Sequence, residues 1–459
     1  MIEEIGDVAE VERSSAKPLG RCSVFFYGVG HMLNDITSAC WFTYLLLFLT
    51  EIGLTPRDAA TVMLSGQIAD AFATIFAGEL LDRFGHFKFW HGGGSVLVAI
   101  SFSSVFGGCL PCKIFRAQSA ALQTIGYCFF AAIFNVGWAA TQVSHMSMVN
   151  CITLNPTSRI VLASCRNAFS MVANLSLYAI AFTIFSVYSP RTSIDIENQY
   201  RWIAYVSIFF GCCFVGIFLL GTKEPSWKQH IPFKSHKRIS CIFWFKKVLY
   251  YQVALVYMLI RIVANVSQAL LTFYVINDLH MSQSSKAVVP AIIYICSFVV
   301  SIILQEMKWS GQRLKALFTV GATLWAFSGA GILFLSSDLS SLMYLLSISI
   351  GVANALMMVT GVGMQSVLVG EDLHGSAFVY ASLSCLDKIS CGFVLFVLES
   401  YQSSSPSLVT CNAMGSCSSV NRYGLGLVPA SCAILSVAVT YTMDLRTISS
   451  HSLLEPLLA

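Results

Sequence analysis

Residues 59–81 read AATVMLSGQIADAFATIFAGELL, and the run that follows is Asp82-Arg83-Phe84-Gly85-His86-Phe87-Lys88. At ~1.5 Å per residue such a helix is about 34 Å long, enough for the roughly 30 Å hydrocarbon core of a bilayer. One carboxylate, Asp70, interrupts its middle. Asp70 stands about 18 Å of helix before Asp82, near the bilayer centre. A charge at that depth costs at least about 2.5–3.5 kcal/mol on insertion scales. The group is therefore protonated, paired with a cation or bound to an ion. A coupling or gating role and a purely structural ion pair both meet that condition. In the charged run, Asp82 caps the span, while Arg83 and Lys88 hold the turn on one side of the membrane. Gly85 permits the tight turn, and Gly78 lets a neighbouring helix approach closely.

Eleven more stretches of this kind flank the first. The twelve spans are expected at 23–50, 59–81, 90–110, 120–144, 161–188, 202–221, 252–277, 287–306, 314–335, 340–368, 376–399 and 424–444. The composition agrees: 56% of the 459 residues are hydrophobic and 11% charged, against about 25% charged in a soluble domain. The reading is an all-α polytopic membrane protein whose medium is the lipid bilayer. A net charge of +4 is too small to suggest nucleic acid. The first residues are acidic (Glu3, Glu4, Asp7, Glu10, Glu12), unlike a cleaved signal peptide, so the first span does the targeting. The sixteen cysteines show no zinc spacing, and those inside spans read as small apolar filler. Cys109, Cys112, Cys411 and Cys417 fall in two loops. No motif pairs a nucleophile with a base, and no metal or cofactor cluster is present, so an enzyme is not expected.

Counting Lys and Arg by loop puts 17 on the side of the N-terminus and 7 on the other; Arg166, Arg261 and Lys388 complete the 27. The positive-inside rule then places both termini in the cytoplasm. The longest polar interruption, residues 222–251, carries Lys223, Lys228, Lys234, Lys237, Arg238, Lys246 and Lys247. It divides the chain into an acidic tail (1–22), a six-helix half (23–221), the basic linker, a second six-helix half (252–445) and a C-terminal tail (446–459). Two such halves with a site at midplane between them is the plan of a rocking transporter. The expectation is a small-molecule solute carrier; a non-transporting membrane sensor or scaffold has no need to keep intramembrane charges.

Those charges come in compensating signs. Asp70 stands in span 2. His31, Asn34 and Asp35 form a polar cluster in span 1, with His31 and Asp35 one turn apart on a shared face. Asn135, Trp138, Gln142 and His145 mark one face of span 4, suited to a small zwitterion. Arg261, Asn265 and Gln268 make a stripe along span 7. Span 11 holds Asp387 and Lys388, which point about 100° apart and so look to partners on other spans. With Arg166 in span 5, three cations balance Asp35, Asp70 and Asp387.

Several of these runs resemble known transporters. Gly78 to Gly85 with Lys88 resembles the signature loop of the major facilitator superfamily. Tyr27-Gly-Val-Gly30-His31-Met-Leu-Asn34-Asp35, Gly66-Gln67-Ile-Ala-Asp70, Gly137-Trp138 to His145, Arg261 to Gln268 and Gly375 to Lys388 resemble its melibiose-permease-like branch of glycoside–pentoside–hexuronide/cation symporters. The resemblance implies the major facilitator fold. It also implies alternating access, with Asp70 and Lys388 matching the cation-site acid and lysine of the sugar symporters. Thr74 stands where a second acid would be. That departure disfavours a sodium site and fits a proton or no coupling ion. Similarly, the family's Glu-Arg pair near span 5 reads Ser158-Arg159 here. Within the superfamily the strings are most similar to a lysosomal and melanosomal group required for cysteine import, which implies cysteine, or a related small amino acid or thiol, as substrate. Sugar–cation symport is the alternative. Glu455-Pro-Leu-Leu458 is similar to an acidic-dileucine sorting signal.

Overall fold

Hydrocarbon offers no hydrogen bonds, so a backbone crossing it must satisfy its own, and an all-helical chain results. The computed structural model describes residues 19–108, 114, 119–153, 156–187, 192–223, 241–305, 307, 310–369, 376–404 and 419–445. Among them there is no strand, and twelve helices are long and apolar enough to cross a membrane. In order these are α1 (Arg21–Glu51), α2 (Pro56–Phe84), α3 (Phe87–Phe106), α4 (Ala120–Ile152), α5 (Pro156–Val187) and α6 (Ser193–Gly221), then α7 (Val248–Phe273), α8 (Ser285–Gln305), α9 (Gly311–Phe334), α10 (Leu342–Val369), α11 (Ser376–Ser404) and α12 (Val420–Thr442). The chain is an integral multi-pass membrane protein. Large apolar side chains such as Phe72, Phe76, Phe89, Leu220 and Phe334 lie exposed on its outside, a face that only lipid accommodates on this scale.

All twelve expected spans are helices, several longer than anticipated. The start of α6 shows why. Residues 193–201 are too polar for hydrocarbon and read as loop. However, Thr192 and Asp195 form a reciprocal capping box, which satisfies the first orphan N–H groups and starts the helix well before the apolar stretch. At α2, Thr55 accepts from the Asp58 N–H and Pro56 occupies the first turn, the arrangement favoured at helix starts.

The packing repeats with a period of six helices. In the first half α3 packs on α4 and α6, α1 on α5 and α6, and α2 on α4. In the second, α9 packs on α10 and α12, α7 on α11 and α12, and α8 on α10. The halves meet where α2 lies on α11, α5 on α8 and α1 on α7. Because the helices alternate in direction, α1 starts and α12 ends on one face, the termini face.

Candidate functional site

Asp70 and Lys388 occupy the middle turns of two helices from opposite halves. The Lys388 ammonium donates to Asp70 Oδ1 at 2.7 Å and to Thr74 Oγ1 at 2.8 Å, with the Trp138 ring centroid 5.4 Å away. Only 4% of Asp70 and 8% of Lys388 is exposed, so the pair bridges the halves out of bulk water. Gly66, one turn before Asp70, makes room for Asn135, because a Cβ there would run into the Asn135 amide. Asp387 turns the other way: its Oδ2 accepts from Arg261 Nε at 3.0 Å. The Cys391 thiol donates to Asp387 Oδ1 at 3.5 Å and accepts from Asn265 Nδ2 at 3.3 Å. Asp387 and Lys388 thus have partners on different helices.

These pairs wall a cavity of about 80 Å³ at mid-height, together with Ser38, Gln67, Asn135 and Trp138. Polar side chains from α1, α2, α4, α7 and α11 therefore face one space. A larger cavity, about 190 Å³, lies in the second half and shares Arg261 and Asn265 with the first. Gln268 lines the larger one and also donates to Thr43 Oγ1 across the halves at 3.0 Å.

The polar groups of α1 form a separate cluster. The helix tightens to a 3-10 turn over Val29–His31, which disturbs the regular ladder. Ring nitrogens from neighbouring helices meet its carbonyls: His145 Nε2 donates to Tyr27 O at 2.9 Å and His91 Nε2 to Gly30 O at 3.0 Å. His31 Nδ1 donates to Asp35 Oδ1 at 2.8 Å, and Ser170 Oγ donates to Asp35 Oδ2 at 2.5 Å. Arg166 NH2 lies 3.5 Å from His31 Nδ1. Asn34 donates to Trp138 O at 3.0 Å. The expected polar face of α4 is therefore split. Asn135 and Trp138 line the midplane cavity; Gln142 does not, and His145 stacks on Tyr27 at 4.2 Å. His145 acts on the main chain of α1, not on the cavity.

On the face opposite the termini, three groups of the first half converge on Lys286 of the second. Its ammonium donates to Glu51 Oε1 at 2.9 Å and Tyr200 OH at 3.0 Å. Its carbonyl accepts from Tyr44 OH at 3.1 Å. Pro290 explains the last contact: lacking an N–H, it cannot bond the carbonyl four residues back, and that carbonyl is Lys286's. Just below, Thr272 donates to Thr43 O at 3.1 Å. Together these contacts form a latch between the halves on this face, beside the Asp70–Lys388 bridge at mid-height. Replacing Lys286 by Met is expected to lengthen the distance between spin labels placed at Arg57 and Ser282, read by pulsed electron resonance; an unchanged distance removes Lys286 from the latch. Neither Glu51 nor Lys286 stands out in sequence, because charges at span ends read as loop residues. The proline inside span 8 was the available signal.

At the signature loop, Gly85 has φ +63° and supports the tight turn. Gly78 corrects the expectation: open space lies where its side chain would be, so it serves no close approach here. Arg83 pairs with Glu79 at 2.7 Å on the exposed surface. Lys88 donates to Thr222 O at 3.0 Å, tying the loop to the end of α6. The side chains of Asp82 and Arg159 lie outside the described residues, as do Cys109, Cys112, Cys411, Cys417, linker residues 224–240 and the 455–458 run.

A family profile described as MFS/sugar transport protein matches residues 26–446. The human protein named major facilitator superfamily domain-containing protein 12 is 30% identical over 430 residues, covering 87% of this chain and 88% of that one. Its mouse counterpart is 30% identical over 415 residues, covering 84% and 86%. Among solved structures, a D-xylose–proton symporter superposes with TM-score 0.70 at 12% identity, over 92% of this chain and 97% of that one. The nucleoside transporter NupG gives 0.66 at 11% identity, over 93% and 100%. A bacterial homologue of the human lysosomal transporter Spinster, inward-facing and occupied, gives 0.61 at 13% identity, over 91% and 95%.

Proposed function

The chain belongs to the MFS/sugar transport protein family and is a transporter of small solutes, not an enzyme; on that premise we propose that it imports cysteine, or a related small amino acid or thiol, from the cytosol into a lysosome or melanosome. In this reading both termini are cytoplasmic. Residues 23–221 and 252–445 are the rocking halves, and the latched face is the lumenal one, so the structure is the state open to the cytosol.

The observation that carries the reading is the Asp70–Lys388 bridge at mid-height, 2.7 Å long, beside a cavity lined by both halves. An ion pair between two bodies that must part is a switch: it stabilises one arrangement and has to be broken or replaced for the other. A hard cation is held by several oxygens. Here Asp70 and Thr74 offer theirs to an ammonium, so the protein supplies its own cation where a sodium ion would sit. That favours proton coupling, or none, over sodium. Sugar–cation symport remains the second reading, on the strength of the fold shared with the D-xylose–proton symporter. Exchange of labelled cysteine and labelled melibiose across vesicles holding the purified protein separates the two. Saturable cysteine exchange is expected. Melibiose exchange with none of cysteine would move the chain to the sugar reading.

A further inference from the structure

The 190 Å³ chamber lies among α7, α8, α9, α10 and α12, inside the second half. It meets the midplane cavity at Arg261 and Asn265. Much of the rest of its lining is apolar, including Leu271, Ile293, Ile350 and Met358.

The groups at the junction are half-used. Arg261 commits Nε to Asp387, and among the described residues its guanidinium makes no other hydrogen bond. It is 28% exposed where Asp387 is 4%. Asp387 therefore fixes the plane of the fork while the terminal N–H groups face open space. A fixed planar fork matches a carboxylate with two parallel hydrogen bonds. Asn265 uses its N–H on Cys391 and keeps its carbonyl oxygen to accept. In the chamber, Asn354 has its oxygen taken by Trp325 Nε1 at 2.7 Å, which leaves its amide N–H group to donate. One cation and one acceptor thus stand at the mouth of an apolar space, and one donor stands within it.

We propose that Arg261 is the carboxylate anchor of the substrate and that the chamber receives the substrate's side chain. The ligand class is an α-amino acid with a short, uncharged side chain. Its ammonium lies on the side of Asn265 and the midplane carboxylates, and its side chain enters between Ile293 and Met358. Size agrees: sites for drug-sized ligands run to about 300–1,000 Å³, and both spaces fall below that. This assignment rests on the amino-acid and thiol reading above and names what that site grips.

The test is competition against labelled cysteine uptake, with thermal stabilisation of the purified protein as a second readout. The panel is cysteine, alanine, cysteine methyl ester, cysteamine and melibiose. Cysteine and alanine are expected to compete and to stabilise. The ester and cysteamine, which lack the carboxylate, are expected to be weaker by about tenfold or more, as for loss of a charge-assisted hydrogen bond. Equal competition by cysteamine overturns the anchor and leaves transport intact; stabilisation by melibiose alone overturns the reading beneath it. R261K, which keeps the charge but not the fork, is expected to raise the half-saturation for cysteine and leave cysteamine inhibition unchanged. For the chamber, S297F is expected to exclude methionine more than alanine, and M358A to admit larger side chains. Size selectivity unchanged in both variants overturns the chamber assignment.

Discussion

Asp70→Asn is expected to abolish transport, by about 100-fold or more, while the protein still reaches the membrane and keeps its fold. Breaking a buried pair by removing one partner costs about 3–5 kcal/mol, and about 1.4 kcal/mol is a tenfold change. Asparagine preserves the shape of the site and an oxygen for the Lys388 ammonium, which also retains Thr74 at 2.8 Å. The lost quantity is the charge that draws α11 onto α2, together with the group that can take up a proton. Initial rates of labelled cysteine uptake, normalised to protein in the membrane, measure it. Wild-type rates in this variant would remove Asp70 from the mechanism.

Lys388→Ala is expected to do more damage, because it leaves the Asp70 carboxylate buried without a cation. The structure says which second change repairs it. Lys388 bonds Asp70 and not Asp387, which belongs to Arg261. Lys388→Ala/Asp70→Asn is therefore expected to recover most of the stability lost by Lys388→Ala, about 3–5 kcal/mol for an orphaned buried charge. Lys388→Ala/Asp387→Asn is expected to lose further, since it orphans Arg261 as well. Thermal melting of the three purified variants reads this directly, and recovery in the Asp387 double variant would contradict the pairing. Neither double variant is expected to transport normally, because the switch itself is gone.

The spans were legible because lipid leaves a backbone one solution, and a helix long enough to cross is visible in any window of sequence. The need for partners was legible too: three acids and three cations at bilayer depth have to be compensated. Which acid meets which cation was not, because Lys388 and Asp70 are 318 residues apart in the chain and helical periodicity says nothing across that gap. Periodicity also overreached on α4. Asn135, Trp138, Gln142 and His145 do share a face, but ten residues of helix separate the first from the last, about 15 Å, so one end lines the cavity and the other serves the main chain of α1. Gly78 was read from the company it keeps in the signature loop, whereas close approach depends on a neighbour that sequence does not place. The latch on the face opposite the termini stayed hidden because Glu51 and Lys286 sit at span ends, where charge is ordinary. Only the proline that frees the Lys286 carbonyl marks the spot.

In the proposed function Lys388 is the resident cation of Asp70, in a carrier that moves a small amino acid and has no sodium site. Accumulation of labelled cysteine in vesicles holding the purified protein, under an imposed pH difference and separately under an imposed sodium gradient, tests it most directly. Cysteine is expected to enter saturably and the sodium gradient to leave its accumulation unchanged; a response to the pH difference marks proton coupling, and its absence marks uncoupled transport. Accumulation driven by the sodium gradient would contradict it.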